Sequence, residues 1–312
     1  MKVYEGVGGV RLRKKSRSIA IGVFDGVHRG HQVILSRMLR RSHDSRLISM
    51  VVTFDPHPLK ILEPRSAHPI LMSLPHRLRL FEEMGISEAL VIRFTRTFSR
   101  MDRERFLSDL LIGRLGLGAL SVGYDFRFGT RGLGDLEFLR AKACERNFLL
   151  SVCRPLKYGK QIISSTWIRR LILSGDLRTA SLMLGRPVSV YGTVIHGRGR
   201  GRASGFPTAN LNPHHETIPP DGVYAVWGEL GGRCLKGMLH IGARPTYGEG
   251  ERSLEVHFLD FSGDIYGKEV ELIFLKRLRP IRKFDNPAEL TRAIRKDISA
   301  ASCLFSLQKG LL

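Results

Sequence analysis

The sequence is poor in cysteine and has no long apolar run. Four scattered cysteines fit neither a disulfide framework nor a zinc site, which favours a reducing, cytoplasmic location; they are Cys144, Cys153, Cys234 and Cys303. No segment reaches the roughly 18 apolar residues that a membrane span requires. The basic N-terminal residues precede no apolar stretch of the kind found in signal peptides. We therefore expect neither a membrane protein nor a secreted one.

Acidic residues are also scarce, with 29 Asp and Glu against 50 Lys and Arg and a net charge of +21. Most of the excess lies in residues 1–187, which hold 33 basic and 16 acidic residues. Such a surplus favours anionic ligands. Because the basic residues are scattered and are not interleaved with aromatic ones, the sequence does not predict a nucleic-acid partner.

The first half of the chain alternates strand patterns with helical patterns. Strands that are apolar throughout and alternate with helices predict a parallel, Rossmann-like sheet covered on both faces. The predicted strands are residues 19–24, 47–54, 89–94, 119–122 and 148–153, and the predicted helices include 33–42, 75–84 and 103–115. Ligands of such sheets bind at the carboxyl ends of the strands.

The run His28-Arg29-Gly30-His31 stands where the first predicted strand turns into a helix, after the turn Phe24-Asp25-Gly26. A helix N-terminus offers free N–H groups to phosphate, and histidines can donate to a phosphoryl oxygen as charge develops. Gly30 leaves room for a nucleotide against the backbone. Polar clusters also follow two other strands, at Asp55-Pro56-His57-Pro58 and at residues 123–129. Because strand ends converge in a parallel sheet, these clusters predict a nucleotide site.

Hydroxyl groups precede a later helix, at Ser164, Ser165 and Thr166, with Arg169 following one turn on. Two interpretations are open at this point. The hydroxyls cap the helix, or they contact phosphate together with the arginine.

The character of the sequence changes near Gly185-Arg186-Pro187, where we place the boundary between a domain of residues 1–186 and one of residues 187–312. Strand patterns separated by glycine turns, at 223–227, 254–259 and 270–275, predict a small antiparallel barrel. Asn286-Pro287-Ala288-Glu289 has the cap residue, proline and acid of a helix start. Apolar residues every four positions from Leu290 predict that this last helix packs on the barrel.

A glycine- and arginine-rich run from His196 to Arg202 leads into Gly205-Phe206-Pro207-Thr208-Ala209-Asn210. Glycines let a backbone fold round phosphate oxygens, and arginines add charge. Thr208 and Asn210 are two residues apart, so on a strand their oxygens face one side, where they suit Mg²⁺ next to phosphates. The other interpretation is a flexible loop that touches RNA.

Over about residues 18–301, the chain closely resembles the bacterial bifunctional riboflavin kinase/FAD synthetase family, whose motifs occur here in the same order. The matching segments are residues 22–31, 53–58, 123–129 and 163–169 in the first half, and 205–210, 222–224, 241–246 and 254–257 in the second. The resemblance implies an FMN adenylyltransferase domain that makes FAD and pyrophosphate from FMN and ATP. It also implies a riboflavin kinase domain that makes FMN from riboflavin and ATP.

The resemblance implies the site residues as well. In the adenylyltransferase, His28 and His31 would be catalytic, and nucleotide or flavin contacts would come from Phe24, Gly26, Asp125, Ser164, Thr166 and Arg169. In the kinase, Glu255 would be the general base. ATP and its phosphates would meet Gly197, Gly201, Arg202, Gly205, Thr208 and Asn210, and the last two would hold Mg²⁺. The expected partners are small molecules, without nucleic acid or membrane, and the chain would be a monomer or a weak homo-oligomer.

Two positions depart from the family pattern. Gly132 stands where many members have an arginine, with Arg131 one residue earlier, and Ile281 replaces an acid before the last helix. The first departure raises the alternative of a riboflavin kinase with weak or lost adenylylation. A more distant alternative is a basic RNA-binding protein.

Overall fold

The computed structural model describes residues 1–8, 15–66, 68–196, 206–214, 216–243 and 252–307. The chain divides into two compact units, Met1–Ser165 and Thr166–Leu312. Within the described ranges, no helix combines the length and the apolar character that crossing a membrane demands. The predicted boundary after residue 186 stays a prediction.

The first unit contains a six-stranded parallel sheet. Its strands are β1 (Lys2–Glu5), β2 (Arg17–Ile21), β3 (Ile48–Asp55), β4 (Glu88–Arg93), β5 (Leu117–Gly123) and β6 (Leu149–Cys153). They are arranged in the order β1-β4-β3-β2-β5-β6, and every neighbouring pair is parallel. Every residue of β2 is buried, as expected of a strand covered on both faces. The predicted Rossmann-like sheet is confirmed.

Helices connect these strands. They are α1 (Arg29–Asp44), α2 (Pro58–Leu62), α3 (Leu74–Glu83), α4 (Arg96–Ser99), α5 (Arg103–Arg105) and α6 (Leu136–Arg146). The predicted helix over 103–115 is present over residues 103–114 but is not α-helical throughout: α5 is a single turn, and Phe106–Arg114 continues it with wider π-type turns. Such turns are uncommon in helices. Here they accompany the burial of Phe106, Leu107, Leu110 and Leu111 on one segment.

The order of the strands reverses at β2. From β2 the chain proceeds outward through β3 to β4, and it later returns to the opposite side of β2 as β5. Open α/β sheets bind ligands outside the carboxyl ends of their strands at such a reversal. The loops that follow β2 and β5 therefore flank the position where this fold accepts a ligand.

The second unit is built on a closed barrel. Its strands are β9 (Ser189–Ile195), β10 (Ala209–Asn212), β11 (Gly222–Leu230), β12 (Arg233–Ala243), β13 (Arg252–Phe258) and β14 (Glu269–Arg279), in the order β10-β13-β12-β11-β14-β9. All their pairings are antiparallel, and β9 closes on β10. The predicted barrel is confirmed. A short hairpin of β7 (Lys157–Tyr158) and β8 (Gln161–Ile162) precedes the helices α7 (Ser165–Ser174) and α8 (Leu177–Leu184).

The last helix, α9 (Pro287–Leu307), packs on the outside of the barrel. The main chain of Glu289 donates to Asn286 Oδ1 at 2.9 Å, and Asn286 Nδ2 donates to Glu289 Oε1 at 3.3 Å, so the predicted capping arrangement is confirmed. Further along, Phe305 meets Trp227 of β11 with ring centroids 4.8 Å apart.

Candidate active sites

The loop between β2 and α1 (residues 22–28) is held in an unusual backbone conformation. Phe24 and Val27 have φ angles of 53° and 38°, in the left-handed region that costs most residues about 1–2 kcal/mol. At Gly26, φ is 84°, and a Cβ there would lie only 2.7 Å from Leu71 Cδ1. Packing fixes the loop, because Phe24 is 1% exposed and meets the Phe81 ring edge-on at 5.9 Å.

Asp25 ties this loop to the segment before α3. Its carboxylate is buried and accepts hydrogen bonds from the main-chain N–H groups of Leu71, at 2.8 Å, and Met72, at 3.1 Å. Its main-chain oxygen accepts from the hydroxyl of Ser165 at 2.9 Å. The sequence marked Asp25 only as part of a turn, so this positioning function was missed.

His28 and His31 form a stacked pair at the start of α1. Their ring centroids lie 3.6 Å apart with an interplanar angle of 18°. His28 is the N-cap residue, and its Nδ1 accepts from the main-chain N–H of His31 at 3.3 Å. A ring nitrogen that accepts carries no hydrogen, so Nε2 is left as the N–H donor of His28. The pair therefore joins an imidazole donor to a helix N-terminus.

The structure shows why position 30 is a glycine, which could not be predicted from the sequence. A Cβ at this position would lie 3.2 Å from both Cε1 and Nδ1 of His28. The glycine therefore accommodates the His28 ring in its capping position. The space beside Gly30, which we expected a nucleotide to use, faces the His28 ring and the main-chain oxygen of Ile163.

Two more predicted segments come close to the histidine pair. The ideal Cβ position of Gly123, at the end of β5, lies 3.1 Å from Asp125 Oδ1 and 3.5 Å from Ile34 Cδ1, so the Asp125 carboxylate and α1 both approach the end of β5. The main-chain oxygen of Ile163 lies 3.8 Å from the ideal Cβ position of Gly30. This contact and the Ser165 bond place the segment that carries Ser164 against the loop after β2.

Three other predicted residues, Thr166, Arg169 and His57, lie on or next to the helices α7 and α2. Thr166 is exposed and Arg169 is buried on α7, and both belong to the second unit. In the cluster after β3, His57 is the N-cap of α2 and its Nδ1 accepts from the main-chain N–H of Leu59 at 3.2 Å. Strands β3, β2 and β5 do lie side by side, as the convergence of the three clusters requires.

The second unit has a cavity of about 240 Å³ on the outer face of the barrel, here called the barrel pocket. Its lining residues include Phe206, Thr208, Val223, Met238, His240, Glu255, His257, Arg279, Ile281, Arg282, Phe284, Leu290, Ile294 and Asp297. Glu255 is the direct register partner of Asn210 on one side and of His240 on the other. Directly opposite residues of antiparallel strands share a face, so these three side chains form one row across β10, β13 and β12.

Two lining contacts were missed by the sequence analysis. His257 Nδ1 lies 2.7 Å from the main-chain oxygen of Pro207 and donates to it, which fastens the segment carrying Thr208 to β13. Arg279 Nε donates to the Asp297 carboxylate, with the two oxygens 2.9 and 3.2 Å away, and so joins β14 to α9. Both contacts hold the walls of the barrel pocket in place.

His240 is the titratable neighbour of Glu255 in this row. Desolvation by the pocket wall lowers the pKa of His240 below its ordinary value, while the Glu255 carboxylate opposes that shift. Arg279 adds to the lowering and Asp221 opposes it. A neutral imidazole is therefore the favoured form beside the glutamate.

Oxygen donors for a metal are present at the same place. Thr208 and Asn210 supply a hydroxyl and an amide oxygen two residues apart, with Glu255 opposite Asn210. Mg²⁺ binds through few protein oxygens together with substrate phosphates and waters, so these residues fit it. Among the described residues, no group of three or more His, Cys, Asp or Glu could hold a metal by itself. The predicted contacts Gly197, Gly201, Arg202 and Gly205 lie outside the described residues.

Comparisons with known proteins match both halves of the chain. The FAD synthetase family model matches residues 11–167, and the riboflavin kinase family model matches residues 184–305. A relative from Escherichia coli (strain K12), named bifunctional riboflavin kinase/FMN adenylyltransferase, is 35% identical over 311 residues, 99% of this chain and 99% of its own. A relative of the same name from Bacillus subtilis (strain 168) is 34% identical over 296 residues, 92% of each chain.

The fold is shared with a solved structure, a protein from Streptococcus pneumoniae described as macrolide-efflux protein. The TM-score is 0.83 at 29% sequence identity, over 97% of this chain and 99% of the other. Family matches in both halves and relatives above 30% identity over nearly the whole length agree with the two sites described above. This chain therefore belongs to the bifunctional riboflavin kinase/FMN adenylyltransferase family, and it uses ATP to convert riboflavin to FMN and FMN to FAD.

Proposed function

We propose that His28 and His31 stabilise the transition state of FMN adenylylation. An FMN phosphate oxygen attacks the α-phosphorus of ATP, a new P–O bond forms, and pyrophosphate leaves as the old bond breaks. No proton must move in this step, so positioning and charge stabilisation are what the protein has to supply. The observation that carries this proposal is the stacked histidine pair at the N-terminus of α1, with His28 Nε2–H as a donor.

Phe24, Gly26, Asp125 and Ser164 support this proposal by their places around the histidine pair. Phe24 meets the ring of His31 edge-on, with centroids 5.4 Å apart. Gly26 and Phe24 shape the loop, and we assign Asp125 and Ser164 to its polar surroundings. Ser164 stands between Ile163 and Ser165, which contact the start of α1 and the loop, respectively. We assign Thr166 and Arg169 to the same nucleotide site, on the strength of the family motif in which they stand.

For the kinase, we propose that Glu255 is the general base. The 5′-hydroxyl of riboflavin gives its proton to the Glu255 carboxylate, its oxygen bonds to the γ-phosphorus of ATP, and ADP leaves. The support is the position of Glu255 in the barrel pocket, in one row with Asn210. The barrel pocket is also rich in apolar side chains such as Phe206 and Phe284, which suit a flat aromatic ring.

Mg²⁺ is the metal that we propose for the kinase, held by Thr208 and Asn210. When bound, it would neutralise charge on the ATP phosphates. The glycine-rich segment with Gly197, Gly201, Arg202 and Gly205 is proposed to contact those phosphates. A cytoplasmic location, a monomer or weak homo-oligomer, and the lack of a nucleic-acid partner stay predictions.

Separate assays of the two steps test these assignments. His31→Ala should lower FMN adenylylation by about 10²–10³-fold and leave riboflavin phosphorylation unchanged. Glu255→Gln should lower phosphorylation by about 10²–10⁴-fold and leave adenylylation unchanged. Two matched controls should keep both activities: His43→Ala, at an exposed position near the end of α1, and Asp260→Asn, exposed just after β13.

A folded variant that loses both activities from one of these single changes would contradict the assignment of two separate sites. Full activity in Glu255→Gln would remove the general base from the proposal. Circular dichroism on each variant establishes that the chain is folded before the rates are compared.

A further inference from the structure

A second cavity adjoins the barrel pocket and has no function so far. Its volume is about 370 Å³, and its wall comes from the loop between β14 and α9 and from the first turns of α9. The lining residues are Arg282, Lys283, Phe284, Glu289, Arg292, Ala293 and Lys296. It shares Arg282 and Phe284 with the barrel pocket but includes neither Thr208 nor Glu255. It is therefore a neighbouring cavity with charged residues of its own, here called the basic cavity.

The cations of the basic cavity have no acidic partners in the described part of the chain. No carboxylate there lies within 4.0 Å of the charged groups of Arg282, Lys283, Arg292 or Lys296. Arg282 lies over the ring of Phe284, 4.7 Å from its centroid, a contact that stabilises the guanidinium but brings no negative charge. By contrast, the nearby Arg279 is paired with an aspartate at 2.9 Å.

The single acid in the wall is engaged elsewhere. Glu289 Oε1 accepts from Asn286 Nδ2, and the Glu289 main chain donates to Asn286 Oδ1, as part of the helix cap. The basic cavity thus combines four positive charges with one carboxylate that is already hydrogen-bonded. Such an excess on one concave surface attracts a multiply charged anion.

The chemistry of the wall suits anions with several oxygens. Two arginines offer planar forks that match phosphate or carboxylate oxygens in pairs, and two lysines add compact charges, so four cations together match the several negative charges of a polyphosphate. We propose that the basic cavity binds a polyphosphate group, either pyrophosphate or the phosphate chain of a nucleotide. Pyrophosphate is a product of the adenylylation that this chain performs, and ATP is a substrate of both its reactions, so both sources are present wherever the enzyme works.

Hydrogen exchange measured by mass spectrometry on the full chain tests the proposal, because it locates binding in the sequence. Pyrophosphate should slow exchange in peptides covering residues 282–296, at constant ionic strength. Arg292→Glu combined with Lys296→Glu should weaken this protection by about tenfold or more in pyrophosphate concentration. Arg295→Glu is the matched control, since Arg295 is exposed on the same helix but does not line the cavity, and protection should persist.

Parallel titrations with ATP, inorganic phosphate and chloride distinguish the sources. Tighter protection by ATP than by pyrophosphate would identify a nucleotide as the occupant, and the reverse order would identify the free product. Equal protection by chloride at matched ionic strength would overturn the proposal, because the effect would be general screening. Protection by ATP without any by pyrophosphate would also overturn it, as would protection that survives the double substitution. Unchanged exchange in the rest of the chain shows that the variants are folded.

Discussion

Replacing Asp297 by alanine removes the carboxylate that binds Arg279 between α9 and the barrel. The Asp297 side chain is 9% exposed and the Arg279 side chain 20% exposed, and two carboxylate oxygens lie within hydrogen-bond distance of Arg279 Nε. Breaking a buried ion pair costs about 3–5 kcal/mol because the remaining charge stays desolvated. Since part of the arginine reaches solvent, we expect the free energy of unfolding to fall by about 2–3 kcal/mol.

Tryptophan fluorescence during urea unfolding reports on the second unit, where this ion pair lies. Both tryptophans, Trp167 and Trp227, belong to the second unit, and Trp227 packs directly against α9. For a unit of this size, the loss should lower the melting temperature by about 4–12 °C. Asp285→Ala, at an exposed position just before α9, is the control and should change stability by less than about 0.5 kcal/mol.

A double variant decides whether the pair itself is responsible. Arg279→Met combined with Asp297→Leu replaces both charges by apolar groups, which is often close to neutral for a buried pair. The double variant should therefore be more stable than Asp297→Ala alone. An Asp297→Ala variant as stable as the control, or a double variant that loses the sum of the two single effects, would refute the reasoning.

Three further outcomes follow from the described geometry. Gly30→Ala should impair adenylylation but not phosphorylation, because the added Cβ displaces the capping ring of His28. Gly8→Ala is the control: a Cβ at Gly8 has no heavy atom of the described residues within 4 Å, so both rates should stay unchanged. The lowered pKa of His240 means that the unfolded chain takes up its proton first, so stability should fall as the pH drops below about 6.5; His240→Asn should show a smaller acid-side loss in urea titrations. Burial raises the pKa of Cys153, so iodoacetamide should alkylate it more slowly than the exposed Cys144, as peptide mapping would show.

The strands that the sequence predicted were those with an uninterrupted local signal. β2 and β3 each contain an apolar run that is buried on both faces, residues 19–21 and 50–52, and such runs are visible without knowledge of their neighbours. β12 was missed because Gly237 and Gly242 interrupt its pattern. A Cβ at Gly237 would lie 3.2 Å from each of three side chains on adjacent strands, so that glycine serves packing that only the assembled barrel reveals.

The residues of the candidate sites also fall into two groups: those marked by a local motif and those placed by contacts between distant segments. The two histidines belong to a local motif four residues long, His28 to His31, and its place at a helix start could be predicted from its flanks. Asp25, His257 and Asp297 position the sites through partners 46, 50 and 18 residues away along the chain. No periodicity or short motif encodes such contacts, because they arise only when separate elements pack together.

The departure at Gly132 has a backbone explanation. Gly132 has a φ of 67° and Arg131 a φ of 54°, so the loop passes through two left-handed residues in succession, and glycine at one of them removes part of the strain. The path of the loop is fixed, because Thr130 donates to the main-chain oxygen of Met101 at 2.8 Å and a Cβ at Gly129 would lie 2.9 Å from the Arg103 backbone. With the path fixed, an arginine at position 131 leaves the loop in a different direction from one at position 132. We expect the departure to change the rate of adenylylation at most, while the histidine pair that the proposal places at its centre is intact.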